Sequence, residues 1–309
     1  MGAIFSALLP IFLTILVGVV LYRTKLIGDD MWSVLEHVCY YVLLPALMLR
    51  KIGSADLADA PVIAMGGAML LAICTMFAAL LILRVRIMTT MTLTGAAYTS
   101  LFQGATRWHT FVALSIIAAL CGQDGLTLAA IGMAAMTPVL NVVNVTVISI
   151  HAEGTTPSAS RVVGLVARNP LVIACVLGIF INVSGIGLPE AAFQTLDLIG
   201  SGALGLGLLT VGAGIRPRAA LVEPAPVALA AALKLLALPV LMFVWTLLLG
   251  VDGTAQAVAV VSGGVPTASA TYILARQLGG DSVLMANIIT VQVIAAVFTL
   301  PLVIWAVGI

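Results

Sequence analysis

Charge is scarce in this chain: 8% of its 309 residues are Asp, Glu, Lys or Arg, against 62% hydrophobic. A globular domain carries about 25% charged residues, and a chain so poor in them cannot cover a water-facing surface. A soluble protein is excluded. The net charge of +1 supplies no basic field for nucleic acid. Cys39, Cys74, Cys121 and Cys175 have neither metal-ligand spacing nor a disulfide framework, so no metal site is expected. Paired carboxylates and a His-Glu-x-x-His pattern are absent too, which argues against an enzyme, and no cofactor is implied.

What the chain does have is apolar runs. Ten can be separated: 3 to 22, 34 to 50, 61 to 83, 90 to 121, 125 to 150, 163 to 183, 191 to 214, 225 to 249, 254 to 278 and 282 to 308. At about 20 residues per crossing, ten crossings consume roughly 200 residues and leave no room for a separate aqueous domain. The sequence therefore predicts an all-α polytopic membrane protein with ten transmembrane helices in the lipid bilayer. The fourth and ninth runs carry polar interruptions near their middles, Gln103 to Thr110 and Ser262 to Ser269.

Basic residues fix the expected orientation. With the N-terminus outside, the inner connections hold Arg23, Lys25, Arg84, Arg86, Arg161, Arg168, Arg216, Arg218 and Arg276, and the outer ones only Arg50 and Lys51. The positive-inside rule then places both termini outside an inner (plasma) membrane. Three short motifs fail on context: Met1-Gly2 with Ser6 as a myristoylation signal on an external terminus, the first run as a cleaved leader without preceding basic residues, and Gly200 to Gly205 as a dinucleotide fingerprint inside a span.

The two interrupted runs hold the same place in two halves, 1–150 and 151–309, each of five spans. Cys121-Gly122-Gln123-Asp124-Gly125 in the first half echoes Leu278-Gly279-Gly280-Asp281-Ser282 in the second. An odd number of spans per half makes the second copy enter from the opposite side. That is an inverted-topology repeat with two broken helices, the usual build of secondary transporters.

Irregular backbone at membrane depth survives only where protein or a watery cavity satisfies it, so paired breaks predict a cavity. Each break exposes a half-helix N-terminus, near Trp108 and near Pro266, with free N–H donors and partial positive charge. Pro266 suits a first-turn position, and Thr267 and Ser269 offer hydroxyls beside it. Arg107 sits at the first break, and Lys234 lies at similar depth in the eighth span, with no Asp or Glu mid-span to neutralise either. Two cations and two helix N-termini suit an anion, and arginine's fork suits a carboxylate. Structural readings stand beside this one: Arg107 bonded to carbonyls freed by the break, Lys234 snorkelling. His109 is either a proton carrier or a neutral hydrogen-bonding group. Gln103, Asn141, Asn144, Asn287, Thr290 and Gln292 either hold a coupling ion such as sodium, line the cavity, or join helices.

With these marks located, the sequence resembles the auxin efflux carrier family of the bile acid/arsenite/auxin carrier superfamily, in particular its bacterial malonate or malate transporters. The resemblance covers the whole chain. It rests on Tyr41-Val42-Leu43-Leu44-Pro45-Ala46-Leu47, on Arg107-Trp108-His109-Thr110-Phe111, and on Pro266-Thr267-Ala268 with Tyr272 through Asp281. It implies crossed broken helices, scaffold and transport domains each drawn from both repeats, elevator-like alternating access and a homodimer. Two departures stand out. Bacterial relatives usually carry asparagine where this chain has His109, and the seventh span has glycines (Gly200, Gly202, Gly205, Gly207, Gly212, Gly214) in place of a common proline, which either loosens this helix or admits a close neighbour.

The expected function is secondary transport of a small organic anion, malonate- or malate-like or auxin-like, either coupled to a sodium or proton gradient or as uniport. Its expected binding residues are Arg107, Trp108, His109, Thr110, Pro266, Thr267, Ser269 and Lys234. A channel or non-transporting sensor on the same scaffold is the alternative. No loop is long enough for a signalling domain, and a channel needs no inverted repeat.

Overall fold

A computed structural model describes residues 2–55, 61–154, 158, 160, 164, 167–185, 188–215 and 223–308. Arg161, Arg216 and Arg218, three of the residues used for orientation, lie outside the described residues. The described residues are helical, with no strand among them.

The first packed group of helices comprises α1 (Gly2–Arg23), α2 (Asp29–Val38), α3 (Leu44–Gly53), α8 (Pro170–Ser184), α9 (Glu190–Gly200) and α10 (Ala203–Ala213). Within it α1 lies along α10, and α3 lies against α8 and α9. The second group comprises α4 (Val62–Ile82), α6 (Gly95–Thr106), α7 (Thr110–Ile148), α11 (Pro224–Ala232), α12 (Leu238–Leu248), α13 (Gly253–Gly264), α14 (Ala270–Gln277) and α15 (Ser282–Ala306). A short helix, α5 (Arg84–Thr90), joins α4 to α6, and α7 bridges the two groups.

Seven helical runs among the described residues are long and apolar enough to cross a membrane: Ile4–Arg23, Asp29–Gly53, Val62–Ile82, Gly95–Ala152, Glu190–Ala213, Pro224–Leu248 and Ser282–Ala306. The chain is a multi-pass membrane protein. Ten apolar runs give seven such helices for physical reasons. Gly95–Ala152 is 58 residues long, about 87 Å at 1.5 Å per residue, far more than one bilayer, and it contains both the first break and the non-helical Gly122. The Pro170–Ser184 helix is short, and the second break divides the ninth run into α13 and α14.

Local chemistry sets the ends. Asn169 accepts from the N–H groups of Leu171 and Val172 at 3.0 and 3.3 Å, with Pro170 in the first turn of α8. Asp281 caps α15 through Leu284 N–H at 2.9 Å, and Thr94 caps α6 through Ala97 N–H at 3.1 Å. Each cap answers one donor that a helix start leaves unpaired. Two π-turns, Cys39–Leu43 and Leu233–Ala237, precede Pro45 and Pro239. A widened turn absorbs the clash and missing donor of a proline inside a span.

The glycines of the seventh span serve close approach. A Cβ at Gly212 would meet the Ile15 carbonyl of α1, and one at Gly207 would enter the Phe111 ring. On the facing helix, Gly18 meets the Leu209 carbonyl in the same way. Lipid supplies no hydrophobic force between helices, so backbone proximity through small residues is what binds this pair.

Candidate functional site

Both polar interruptions are breaks in helix. After α6 the chain is extended at Arg107 (φ −81°, ψ 155°) and at His109 (φ −92°, ψ 101°), and α7 begins at Thr110. After α13 it is extended at Val265 (φ −75°, ψ 153°), and α14 begins at Ala270. The half-helices thus start later than Trp108 and Pro266, the positions read from sequence, and Pro266 is not in a first helical turn. The cause is pairing between the two breaks. His109 N–H donates to the Pro266 carbonyl at 2.8 Å, and Thr267 N–H donates to Gln292 Oε1 at 2.8 Å, which keeps both stretches extended.

More bonds close the crossing. The Thr267 hydroxyl donates to the Gly104 carbonyl at 2.8 Å and to that of Arg107 at 3.2 Å. Gln292 Nε2 donates to the carbonyls of Gly104 (2.8 Å) and Ala230 (3.2 Å). One amide on α15 therefore ties together α6, α11 and the second break. Lys234 is fully buried, donates to the Gly263 carbonyl at 2.6 Å and lies 5.9 Å from the Trp108 ring centroid. Its cation faces the C-terminal end of α13, where unpaired carbonyls concentrate negative charge.

A cavity of about 760 Å³ opens beside the crossing. Arg107, Trp108, His109, Thr110 and Phe111 line it from the first break, Ala268, Ser269 and Ala270 from the second, and Asn141 from α7. Tyr40, Tyr41 and Glu36 face it from the other packed group, and Arg168 and Asn169 complete it. Arg107 Nη2 donates to Asn141 Oδ1 at 3.0 Å, whereas Nη1 is buried and has no hydrogen-bond partner among the described residues. His109 Nε2 lies 3.2 Å from Ser269 Oγ, joining the two breaks across the cavity wall. The starts of α7 and α14 have no side-chain cap; in α14 the Thr271 and Tyr272 N–H groups donate to the Ala268 and Ser269 carbonyls, both at 3.0 Å, so the donors left beside the cavity are the N–H groups of Thr110, Phe111 and Ala270.

The site residues read from sequence divide in two. Arg107, Trp108, His109, Thr110, Ser269 and Asn141 line the cavity. Pro266, Thr267, Lys234 and Gln292 are bonded into the crossing. Asn144 is buried between Thr106 and the Leu140 carbonyl (3.2 and 2.7 Å). Asn287 and Thr290 are buried on α15, and Gln103 is fully buried with neither amide atom bonded among the described residues. Tyr40, Asn169 and Glu36 do not stand out in the sequence. Asp29-Asp30, suited to a first helical turn, was the available signal that α2 starts early enough to carry Glu36 inward.

A family model described as membrane transport protein matches residues 3–304. The chain belongs to this family, that of the auxin efflux carriers. No individual curated protein matches it significantly. The match extends over both packed groups and both breaks of this auxin efflux carrier family member, so its cavity is to be read as part of a membrane transporter.

Proposed function

We propose that the protein is a secondary transporter of a small organic anion, bound in the cavity beside the crossing by the free Nη1 of Arg107 and the uncapped starts of α7 and α14. The buried guanidinium nitrogen carries this reading. A charged donor out of water is costly to leave unpaired, and a carboxylate oxygen at that point satisfies it. Asn141, holding the other nitrogen at 3.0 Å, orients the fork toward the cavity.

The architecture in this reading is ten crossings in two inverted five-helix repeats, 1–150 and 151–309. Gly122 and Gly279, which correspond in the sequence echo, both have positive φ (63° and 72°), which supports the repeat. The cavity lies between the two packed groups, and this placement supports elevator-like movement of the crossing group against a fixed scaffold. The substrate class is a malonate- or malate-like or auxin-like carboxylate. A homodimer in the plasma membrane with both termini outside completes the proposal.

Uptake of labelled malonate and of labelled indole-3-acetate into proteoliposomes, with and without sodium and proton gradients, tests it. Arg107→Gln removes a charged hydrogen bond worth about 1.5–3 kcal/mol, so half-saturation should rise by roughly ten- to a hundredfold. Undiminished uptake by this variant would refute the anion clamp.

A further inference from the structure

A second cavity, of about 1030 Å³, lies between the ends of α1 and α10, the Asp29-to-Glu36 face of α2, and the starts of α14 and α15. It and the cavity at the crossing share three lining residues: Glu36, Ser269 and Ile273. Glu36 is thus the one charged residue common to both. It is the eighth residue of the Asp29–Gly53 run, about 10 Å along the helix at 1.5 Å per residue, and it is half-buried. Its carboxylate makes no ion pair or hydrogen bond among the described residues. Asp29, on the same helix, differs in pairing with Lys25 at 2.6 Å.

The surroundings offer Glu36 little compensation. Among the described residues it is the only acidic one lining the crossing cavity, which Arg107 and His109 line from the opposite group and Arg168 lines as well. Its own helix and the following π-turn bring His37, Tyr40 and Tyr41 to that cavity and Asp29 to the other. From α1 come Tyr22 and Arg23, from α14 Tyr272, and α10, packed directly on α2, has no titratable side chain.

We propose that Glu36 is a proton-binding site linked to the anion cavity: an anion bound beside Arg107 places one proton on the Glu36 carboxylate. This rests on the anion-transport reading above. In the empty cavity the carboxylate and Arg107 line the same space without forming an ion pair. When a substrate anion binds beside Arg107, two negative groups share one partly dehydrated space, and like charges at close quarters disfavour ionisation of one of them. A proton from cavity water forms an O–H bond on Glu36, and it returns to water when the anion leaves. No electron moves. Glu36 is not a ligand of the anion in this scheme; it sets the pH at which the anion is held. Binding therefore tightens as pH falls, by at most tenfold per pH unit for one linked proton.

The test uses the full-length chain in detergent, titrated with phenylacetate and with malonate at several pH values, the probes' own ionisation being subtracted. Binding is read by calorimetry, and proton uptake by a pH dye in weak buffer. The parent is expected to take up close to one proton per anion and to show affinity rising several-fold per unit fall in pH. Glu36→Gln should bind with nearly flat pH dependence and proton uptake near zero. If Glu36→Gln binds and still takes up a proton, the proton sits elsewhere, His109 or His37 included, and the inference is overturned. Replacement of proton uptake by a sodium requirement in the parent overturns it as well. Should Glu36→Gln fail to fold, Glu36→Asp decides: a titratable carboxylate should keep the proton uptake, and binding without it refutes the proposal. Binding of neither probe by the parent sinks the anion reading itself, and this inference with it, an outcome distinct from binding without linkage.

Discussion

Arg107 and Lys234 are the two cations near the middle of apolar runs, and their environments separate their roles. Arg107 keeps one nitrogen unbonded at the wall of a cavity. Lys234 spends its ammonium on the Gly263 carbonyl, at the end of a half-helix. Lys234→Met keeps the apolar stem and deletes the charge, leaving a buried carbonyl without its donor. The expected cost is about 1–3 kcal/mol of stability, read as a lower thermal midpoint in detergent, with half-saturation for the transported anion little changed. A hundredfold loss of affinity without a stability change would instead make Lys234 a substrate ligand. Gln292 is the neutral counterpart. Gln292→Leu removes the bonds to Thr267, Gly104 and Ala230, and at about 1–3 kcal/mol for each buried group left unpaired it should lower the same midpoint further than Lys234→Met does.

At the scale of elements, the breaks and the glycine-lined helix pair carry different loads. The breaks are held extended by bonds between them, so neither is a loop in the ordinary sense. The conspicuous run ending in Gly279-Gly280-Asp281 is mostly architecture: Gly279 turns the chain at φ 72°, Asp281 caps α15, and Ser100 of α6 donates to the Asp281 carbonyl at 2.8 Å. Between α1 and α10, Gly18 and Gly212 let backbones touch. Gly212→Leu would force the two helices apart, at a typical overpacking cost of about 1–3 kcal/mol or more. The expected result is a lower thermal midpoint and reduced yield of folded protein. An unchanged midpoint would mean that α1 is free to shift away.

For the whole molecule, seven helical runs long and apolar enough to cross a membrane and a family match over residues 3–304 establish a multi-pass transporter; the sidedness proposed from the distribution of basic residues is a separate expectation. Lys25→Cys and Lys51→Cys test it. An impermeant maleimide applied to intact cells should label Lys51→Cys at once and Lys25→Cys only after permeabilisation. The reverse pattern would invert the topology. Retention of the two-group packing in either case reflects that side-chain contacts within the bilayer do not depend on which leaflet is which.

Scarcity of charge, apolar run length and two polar interruptions were enough for the sequence alone to determine a helical membrane protein with breaks somewhere within 103–110 and 262–269 and a cation at the first. These features report the solvent, because hydrocarbon excludes charge and unpaired backbone wherever they are not compensated. What only the tertiary structure decided is which polar groups face the cavity. Spans that are apolar on nearly every side leave little periodicity from which to read a facing direction. Arg107 and Lys234, Asn141 and Asn144, or Ser269 and Thr267 therefore look alike in sequence until packing turns one of each pair to the cavity and binds the other into the crossing. Packing likewise brings Glu36 from the start of its helix to the meeting point of two cavities.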